Sequence, residues 1–446
     1  MSSHRPSTLQ ASLIAIALAA GLQFAQIPDA LAQSGLPSVD AQVSAIAAKV
    51  IDWRRDIHRN PELGNQETRT ATLVADHLRS LGFDEVRTGV GVTGVVGILK
   101  GNRPGRIVAL RADMDALPIK EATGLPFAST VTVRDGDKEV PVMHACGHDA
   151  HTAMLMGAAE ILASRRDNIQ GTVMFIFQPA EEGVSGSETA GAQLMIEQGI
   201  FATEKPDAIF ALHVEPGPAG QIQTRSGPLL SSASNIHIEL KGRQTHAGRP
   251  WEGNDLVSLS ADIVKSLATI SSRQVNVFEF PNVVSIGSLQ AGTRGNILPG
   301  TAEMHGTIRT FDLERRDRLK DLITKSVNGL SASYEAQGVV TFKDSALVTG
   351  SDPALLEIIM PALEKAASAG VDKNTLLRGA AEDFSYFEEK IPGVYYILAS
   401  TKNFTSMEVA PTNHSDLFDI DESVLSVGVK AHVLSAIAFL NSTAGK

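Results

Sequence analysis

Apolar residues recur with helical and strand-like spacing in alternation along the first half of the chain. Their spacing predicts amphipathic helices over Val39–His58 and Glu67–Leu81, the second ending at Gly82. Short apolar and β-branched runs predict strands, with further helices between them. The strands are Val92–Leu99, Arg106–Arg111, Gly171–Phe177 and Ala208–Leu212, and the helices Ala150–Ala163 and Ala190–Gln198. This alternation indicates an α/β domain with a mostly parallel sheet flanked by helices.

The pattern changes near Gly220 to the order strand, helix, strand, strand, helix, strand. These elements are predicted over Ser234–Leu240, Asp255–Ser271, Asn282–Leu289, Thr301–Thr310, Leu313–Ser333 and Gly338–Lys343. That order is typical of a ferredoxin-like α+β unit. The α/β pattern resumes from Pro353 and ends in a helix over Ser423–Leu440. We therefore predict a discontinuous catalytic domain, 37–222 with 345–446, interrupted by an inserted lid or dimerisation domain, 223–344.

Length and composition are those of a folded two-domain protein. The chain has 446 residues, of which 43% are hydrophobic and 20% charged; it is too long for one ordinary core. The formal net charge is −11, whereas a nucleic-acid surface needs a basic stripe. A nucleic-acid partner is therefore not expected.

The N-terminus has the layout of a secretory signal peptide. His4 and Arg5 precede an apolar run over 13–20, and Ala30-Leu31-Ala32 provides a small-residue cleavage site. We predict a signal peptide over 1–32, a periplasmic or secreted protein, and no stable membrane span after processing. An uncleaved anchor is the alternative, although the apolar run is short for a membrane span.

The loop Met143–His151 contains the only cysteine of the chain, Cys146, among three histidines. Thiolate and imidazole are the ligands preferred by zinc-like ions. Cys146 and His148 can converge on one ion only if the backbone is irregular, which Gly147 permits. After export the lone thiol would also have no disulfide partner, so ligation would give it a role. The alternative is a buried structural cysteine beside a surface histidine.

Carboxylates and histidines follow several of the predicted strands, where open α/β sheets place their sites. Asp113 and Asp115 share one face of a strand end, which suits ligation or orientation of a ligand. Glu181 and Glu182 follow the apolar run before residue 178, and two adjacent carboxylates are costly unless a cation compensates them. His213 follows the apolar run 208–212, and His414, in the segment 411–415, is interpreted as a further strand-end histidine. Solvated strand ends, surface ion pairs and ordinary histidines are the alternatives.

Other common enzyme motifs lack support in this sequence. Gly89–Gly94 matches the dinucleotide-binding pattern but leads into a predicted strand instead of opening a helix. The chain contains no Gly-x-Ser-x-Gly elbow and no His-Glu-x-x-His sequence. A metal centre is therefore the best-supported chemistry.

Six segments together resemble one enzyme family. It is the amidohydrolase branch of the aminoacylase and carboxypeptidase dinuclear metallopeptidases, which includes hippurate hydrolases, N-acyl-amino-acid amidohydrolases and auxin-conjugate hydrolases. The His-Ala-Cys-Gly-His-Asp and Pro-Ala-Glu-Glu-Gly motifs are the most specific part, and the resemblance covers nearly the whole mature chain. The segments are Arg54–Glu67, Arg111–Pro118, Met143–His151, Phe177–Gly183, His246–Pro250 and Ala381–Tyr386.

The resemblance implies two divalent metal ions, zinc or manganese, with cobalt or nickel as alternatives. The residues matching metal ligands are Cys146, His148, Glu182, His213 and His414. Catalytic positions match Glu181 as general base, Asp115 as the residue that orients a ligand, and His246 of the lid, which reaches the reacting carbonyl oxygen; Asn296 and Arg309 match positions associated with the substrate carboxylate.

Asp113 stands where many members of the wider family have a ligating histidine, with Cys146 compensating. The segment 184–190 is longer than in many relatives, which would change the pocket rim.

We therefore predict a metal-dependent amidohydrolase that cleaves small-molecule N-acyl-amino acids through a metal-activated water. A dipeptidase or carboxypeptidase using the same site is the alternative within enzymes. A metal- or ligand-binding protein without turnover is the alternative outside them, but binding alone would not need an uncoordinated base. The resemblance also implies a homodimer through the lid domain.

Overall fold

The computed structural model describes residues 36–135, 137–184 and 189–442. The predicted signal peptide over 1–32 lies outside these described residues. Most α-helices begin and end within a few residues of the positions predicted from the apolar spacing. They are α1 Val39–Arg59, α2 Thr68–Ser80, α3 His148–Ser164, α4 Gly191–Glu197, α5 Leu256–Arg273, α6 Leu313–Ser333, α7 Pro353–Ala366, α8 Phe384–Lys390 and α9 Val424–Asn441.

The strands fall into a large sheet, a small sheet and two short hairpins or ribbons. In chain order they are β1 Glu85–Val90, β2 Gly94–Lys100, β3 Arg103–Asp113, β4 Thr132–Asp135, β5 Lys138–Pro141, β6 Gln170–Gln178, β7 Ala208–Pro218, β8 Ile222–Gln223, β9 Gly227–Leu230, β10 Ser232–Lys241, β11 Thr245–His246, β12 Asn282–Ala291, β13 Ile297–Leu298, β14 Thr301–Thr310, β15 Gln337–Ala346, β16 Thr349–Ser351, β17 Val371–Asp372 and β18 Gly393–Thr401.

The large sheet has the order β1-β2-β6-β3-β7-β18-β16-β9, with β8 and β17 joined beside β18. Its centre, β6-β3-β7-β18, is parallel, and the strands on either side are antiparallel. Alternate residues of these strands enter two different cores, as the period of two requires. Helices α1, α2, α3, α7 and α9 cover one face, and α4 and α8 the other. The predicted α/β class with a largely parallel sheet is confirmed.

Helix α9 is long and apolar enough to cross a membrane, but 72% of it is buried inside the protein. It packs against α1, α3 and α7. It is therefore a core helix of the large sheet's first face.

The small sheet has the antiparallel order β12-β14-β10-β15 and contacts helices α5 and α6. Its core contains alternate residues of the strands and the inward faces of the two helices, for example Ile236, Ile263 and Ile323. Apart from Ala233, the alternating residues on the opposite side of β10 and β14 are exposed or half-buried. We refer to this surface as the open face of the lid sheet, after the lid domain predicted for this part of the chain. The residue boundaries given above for the lid and catalytic domains remain a prediction.

The parallel strands bring the chemically interesting segments to one edge of the large sheet. β3 ends at Asp113, β6 ends three residues before Glu181, and β7 contains His213. The carboxyl ends of parallel strands meet at one edge, where such sheets place their sites.

Candidate active site

The loop before α3 turns sharply at Gly147, which adopts the left-handed φ of 94°. A Cβ at this position would lie 2.2 Å from a methyl carbon of Val214. Glycine is therefore required both for the backbone conformation and for the close approach of β7. This turn lets Cys146 and His148, two residues apart, both approach the carboxylate of Glu182.

One ring nitrogen of His148 is close enough to Asp115 for a hydrogen bond, and the other has no such partner among the described residues. Its Nδ1 lies 3.1 Å from Oδ1 of Asp115, whereas its Nε2 has no hydrogen-bond partner among the described residues. The ring is fully buried. A carboxylate that accepts from one nitrogen fixes the ring so that the other can bind a metal.

The turn after β6 directs Glu181 and Glu182 differently. Ala180 has a φ of 50°, and its N–H donates to a carboxylate oxygen of Glu67 at 2.9 Å. The N–H of Glu182 donates to Oδ2 of Asp115 at 3.0 Å. Asp115 thus connects the turn to the ring of His148.

Two further histidines complete the cluster. Nε2 of His213 lies 3.4 Å from Sγ of Cys146, and its Nδ1 lies 2.9 Å from the carbonyl oxygen of Val214. Nε2 of His414 lies 3.0 Å from Oε1 of Glu182. In both rings Nε2 is thus directed into the pocket.

The ligand-type atoms of Cys146, Glu182 and His414 all lie within 4.8 Å of one another, as do those of His148, Glu181 and Glu182. The structure therefore brings together the five residues that resemble metal ligands.

His151 and Asp113 also lie near these groups but are engaged elsewhere. Nδ1 of His151 contacts Asp113 at 2.6 Å, and Nε2 accepts the N–H of Val214 at 2.8 Å. The other carboxylate oxygen of Asp113 accepts from Arg111 at 2.6 Å. Both nitrogens of His151 are thus occupied, and Asp113 supports the site through Arg111 and His151.

The electrostatics of this pocket fit divalent cations. Burial and the carboxylates of Glu182 and Glu181 hold the pKa of the Cys146 thiol well above its usual value. Burial opposes protonation of His148, but Asp113 and Asp115 outweigh it and raise its pKa to about 10. Such a negative field attracts cations, which displace protons from thiol and imidazole. The soft and borderline donors and the unpartnered nitrogen of His148 suit two metal ions.

Glu181 lies beside the cluster without a hydrogen bond to its carboxylate from any described residue. Its oxygen is within 4.8 Å of those of Glu382 and Asp383. Burial, followed by the charges of Glu382, Glu182 and Asp383, raises the pKa of Glu181 well above its usual value. A carboxyl group with a raised pKa is suited to accept and return a proton near neutral pH.

Arg111 is the buried cation beneath this acid group, and it is not among the site residues predicted from the sequence. It donates to Asp113 at 2.6 Å, to Glu382 at 2.9 Å and to Asp383 at 3.2 Å. Although burial opposes the charge, these carboxylates raise the pKa of Arg111 well above its usual value. The detectable signal was a charged residue inside an apolar strand, because such residues are seldom buried unpaired.

Helix α1 supports the metal-binding loop from the other side. Arg54 donates to Asp149 at 2.8 Å, and Nδ1 of His58 lies 2.8 Å from the same oxygen. Nε2 of His58 lies 3.2 Å from Glu121. Asp149 directly follows the metal-ligand candidate His148, so α1 fixes the start of α3. Sequence reasoning placed Arg54 and His58 in a family motif but gave them no function.

Two cavities meet at the acid pair. The Leu117 cavity, of about 580 Å³, is lined by Leu63, Ala116, Leu117 and lid residues Asn235 and Lys343, among others. The Arg309 cavity, of about 570 Å³, contains Cys146, His213, His414 and Arg309. Glu181 and Glu182 line both.

The three lid residues singled out from the sequence have different positions. Arg309 lines the Arg309 cavity, and its Nη1 is buried without a hydrogen-bond partner among the described residues. His246 and Asn296 line neither cavity. His246 pairs with Ile297 in the ribbon β11–β13, and its Nδ1 accepts the N–H of Gly248 at 2.9 Å. The structure therefore brings Arg309, but not His246 or Asn296, to the site.

Comparison with known proteins gives consistent matches over most of the chain. The sequence profile of peptidase family M20/M25/M40 matches residues 109–437. Thermostable carboxypeptidase 2 of Saccharolobus solfataricus is 40% identical over 402 residues, covering 90% of this chain and 97% of that protein. N-acetylcysteine deacetylase of Bacillus subtilis is 36% identical over 89% of this chain and 98% of its own length. A solved Bacillus subtilis structure, described as a dinuclear metal-binding peptidase from the M20 family, has 33% identity, a TM-score of 0.73 and coverage of 89% and 99%.

These relatives also correct one prediction. They are cytoplasmic enzymes, so the predicted export to the periplasm or the medium is wrong. Without export, Cys146 is not an unpaired thiol in an oxidising compartment. Its contacts with the other donors account for this residue.

Proposed function

We propose, from the premise that the chain belongs to peptidase family M20/M25/M40, that this metal-dependent amide hydrolase cleaves N-acyl-amino acids to a carboxylic acid and a free amino acid. The observation that carries the proposal is the position of Glu181. It is an acid without a hydrogen bond from the described residues, beside five metal-ligand candidates and between two cavities. The N-acetylcysteine deacetylase relative supports an acyl-amino-acid substrate.

The residues that would hold two divalent ions are Cys146, His148, Glu182, His213 and His414. Zinc suits thiolate and imidazole, and manganese, cobalt and nickel are alternatives. When bound, such ions lower the pKa of a coordinated water from 15.7 toward about 7 and polarise the substrate carbonyl.

Glu181 would act as the proton carrier. In its ionised form it removes a proton from the attacking water, and it then gives that proton to the nitrogen of the leaving amine. The neighbours of Glu181 are fixed by ion pairs, because Arg111 donates to the carboxylates of both Glu382 and Asp383. Their charges set the proton affinity of this carboxyl group.

Arg309 would bind the carboxylate of the amino-acid half. Its guanidinium lies in the same cavity as Cys146, His213 and His414, and one of its nitrogens is buried without a hydrogen-bond partner among the described residues. A fork of guanidinium donors matches a carboxylate. The acyl half would then occupy the Leu117 cavity, where Leu63 and Leu117 provide apolar surface.

The roles of His246 and Asn296 in catalysis remain predictions, since neither residue lines the two cavities. A homodimer through the lid domain is likewise a proposal.

The test of the base is Glu181→Gln. The substitution keeps the shape of the side chain but removes its proton-accepting charge, so kcat should fall by about 10²–10⁴-fold while bound metal is retained. Metal per chain and kcat with an N-acetyl-amino acid are measured together. Glu182→Gln is the matched control, which should instead lower metal content. Wild-type kcat in Glu181→Gln would refute the assignment.

A carboxypeptidase is the second candidate, favoured by the thermostable carboxypeptidase relative. A panel of N-acetyl-amino acids, dipeptides, N-blocked peptides and the corresponding C-terminal amides separates the two functions. We expect the N-acetyl-amino acids to have the highest kcat/KM and the C-terminal amides to be poor, because Arg309 could not pair with them. Preference for N-blocked peptides would favour the carboxypeptidase, and equal rates with C-terminal amides would exclude the role of Arg309.

A further inference from the structure

The open face of the lid sheet carries a second group of metal-ligand side chains. His237 of β10 is directly opposite His305 of β14, and Glu239 is directly opposite Glu303 one step further along the same face. Opposite residues on neighbouring antiparallel strands have Cβ atoms about 4.5–5.5 Å apart. The pairing of β10 with β14 therefore places two imidazoles and two carboxylates next to one another on this face.

The two imidazole rings lie side by side, and both contact the carboxylate of Glu303. The rings of His237 and His305 are stacked, with centroids 4.6 Å apart and an interplanar angle of 2°. The Nε2 atoms of both lie near the same oxygen, Oε1 of Glu303, at 2.8 and 3.0 Å. The three ligand-type atoms all lie within 4.8 Å of one another.

These distances are close to those of a tetrahedral metal site. With metal–nitrogen and metal–oxygen bonds near 2.0–2.1 Å, two ligand atoms on one tetrahedral ion are about 3.3 Å apart. The nitrogen-to-oxygen distances in this group are shorter than that by only a few tenths of an ångström. Because an imidazole nitrogen binds a metal in the plane of its ring, the two rings would have to rotate out of their parallel stacking so that both Nε2 atoms point at one ion.

The charge of the group also favours a cation. With neutral imidazoles, Glu239 and Glu303 contribute two negative charges, and Lys241 lies 3.8 Å from Glu239. A divalent ion can bind both rings in their neutral form. Two imidazoles with one carboxylate suit zinc, copper or nickel better than calcium or magnesium.

We propose that His237, His305 and Glu303 form a third divalent-metal site, specific for late first-row transition ions, on the open face of the lid sheet. Glu239 or water would supply a fourth ligand. None of these four residues lines the Leu117 or the Arg309 cavity. The site is therefore separate from the active site and independent of the proposed hydrolysis.

The test counts zinc ions in the full-length holoenzyme. Wild-type protein and variants are dialysed to equilibrium against micromolar free Zn²⁺, and zinc per chain and turnover are measured on the same samples. His305→Gln and His237→Gln should each hold one zinc fewer than the wild type, with turnover unchanged. Thr341→Ala is the matched control, because Thr341 faces His237 from β15 but is no ligand; it should retain the wild-type count.

Two results would overturn the proposal. One is a wild-type count equal to that of the active site alone, and this result does not depend on any variant. The other is an extra zinc that persists in the His237→Gln/His305→Gln double variant, which would place that ion elsewhere. Unchanged turnover in the variants shows that they are folded.

Discussion

At the scale of single residues, Asp115 connects two of the metal-ligand candidates. One carboxylate oxygen contacts Nδ1 of His148, and the other accepts the N–H of Glu182. It therefore orients one metal-ligand candidate and fixes the backbone of another. Carboxylates in this position commonly raise metal affinity without touching the ion.

We expect Asp115→Asn to weaken metal binding by about 10–100-fold, because an amide holds the imidazole less firmly and lowers its basicity. Competition with a chromophoric chelator measures the affinity. Asp312→Asn is the control, since Asp312 caps α6 in the lid and asparagine can also cap. An unchanged affinity in Asp115→Asn would show that His148 does not depend on this contact.

The sequence identifies local motifs better than distant partners. The loop Met143–His151 is visible as a metal motif because its donors are neighbours in the chain. His213 and His414 are isolated histidines at predicted strand ends, and only the family resemblance indicates that they are metal ligands. Arg111 and Glu382 are 271 residues apart, and their pairing becomes apparent only in the folded chain. The spacing of residues in a single sequence does not predict a contact between such distant positions.

At the scale of secondary-structure elements, helix α1 contributes a buried charged contact to the active-site loop. His58 places one ring nitrogen near Asp149 and the other near Glu121. Both contacts can be made at once only by the protonated ring, which has two donors. Burial opposes this charge, yet the two carboxylates outweigh burial and raise the pKa of His58 above its usual value.

This contact should make stability depend on pH. The pKa of His58 is raised in the folded state, so its stabilising contribution is fully present below the unfolded-state value of about 6.5 and is lost as pH rises through the folded-state value. The free energy of unfolding from urea titrations between pH 6 and 9 should therefore fall less in His58→Gln than in the wild type.

His77 on α2 provides a control of opposite sign. Its ring lies 3.1 Å from the carbonyl oxygen of Met156, and burial lowers its pKa. The contribution of His77 is therefore present above the unfolded-state pKa and is lost as pH falls. His77→Gln should leave the decline at high pH intact. An identical pH profile in His58→Gln and the wild type would contradict the assignment for His58.

The accuracy of the predicted elements follows their burial. Strand β14 and helix α6 coincide with their predicted ranges, Thr301–Thr310 and Leu313–Ser333, because their apolar spacing is regular. Strand β1 was not predicted, since Glu85–Val90 is largely exposed and carries no apolar run. Strands β3 and β7 extend past their apolar runs to Asp113 and Pro218. The extensions belong to the active site, where polar residues are paired by tertiary contacts.

At the scale of the whole molecule, bound metal should contribute to stability as well as to chemistry. The pocket concentrates Cys146, Glu181 and Glu182, and burial with mutual repulsion raises the pKa values of Cys146 and Glu181. Cations that bind only the folded chain would offset this repulsion. An ion present at 100 times its Kd contributes about 2.7 kcal/mol.

Removal of metal with a chelator should therefore lower Tm, by about 5 °C, and added zinc or manganese should restore it. Differential scanning calorimetry of the same sample before and after chelation measures the shift. Cys146→Ala/His213→Ala, which lacks two of the ligand candidates, should show a much smaller shift. Equal Tm values for chelated and reloaded wild-type protein would contradict a bound, stabilising pair of ions.

The overall architecture was accessible from the sequence, whereas the location of the protein was not. Alternating helices and strands indicate a parallel sheet because each buried strand needs helices on both faces. A short apolar run at the N-terminus has no comparable constraint from packing. It led to the prediction of export that the cytoplasmic relatives contradict.

The acid pair that forms a shared wall between the Leu117 and Arg309 cavities has a kinetic consequence. If the amino-acid half binds Arg309 and the acyl half lies in the Leu117 cavity, as proposed above, the two products of hydrolysis lie in different cavities. The two products can then be released in either order. Acetate and the liberated amino acid should therefore be able to bind and inhibit at the same time. In an enzyme whose two products leave through one shared opening, each product would exclude the other.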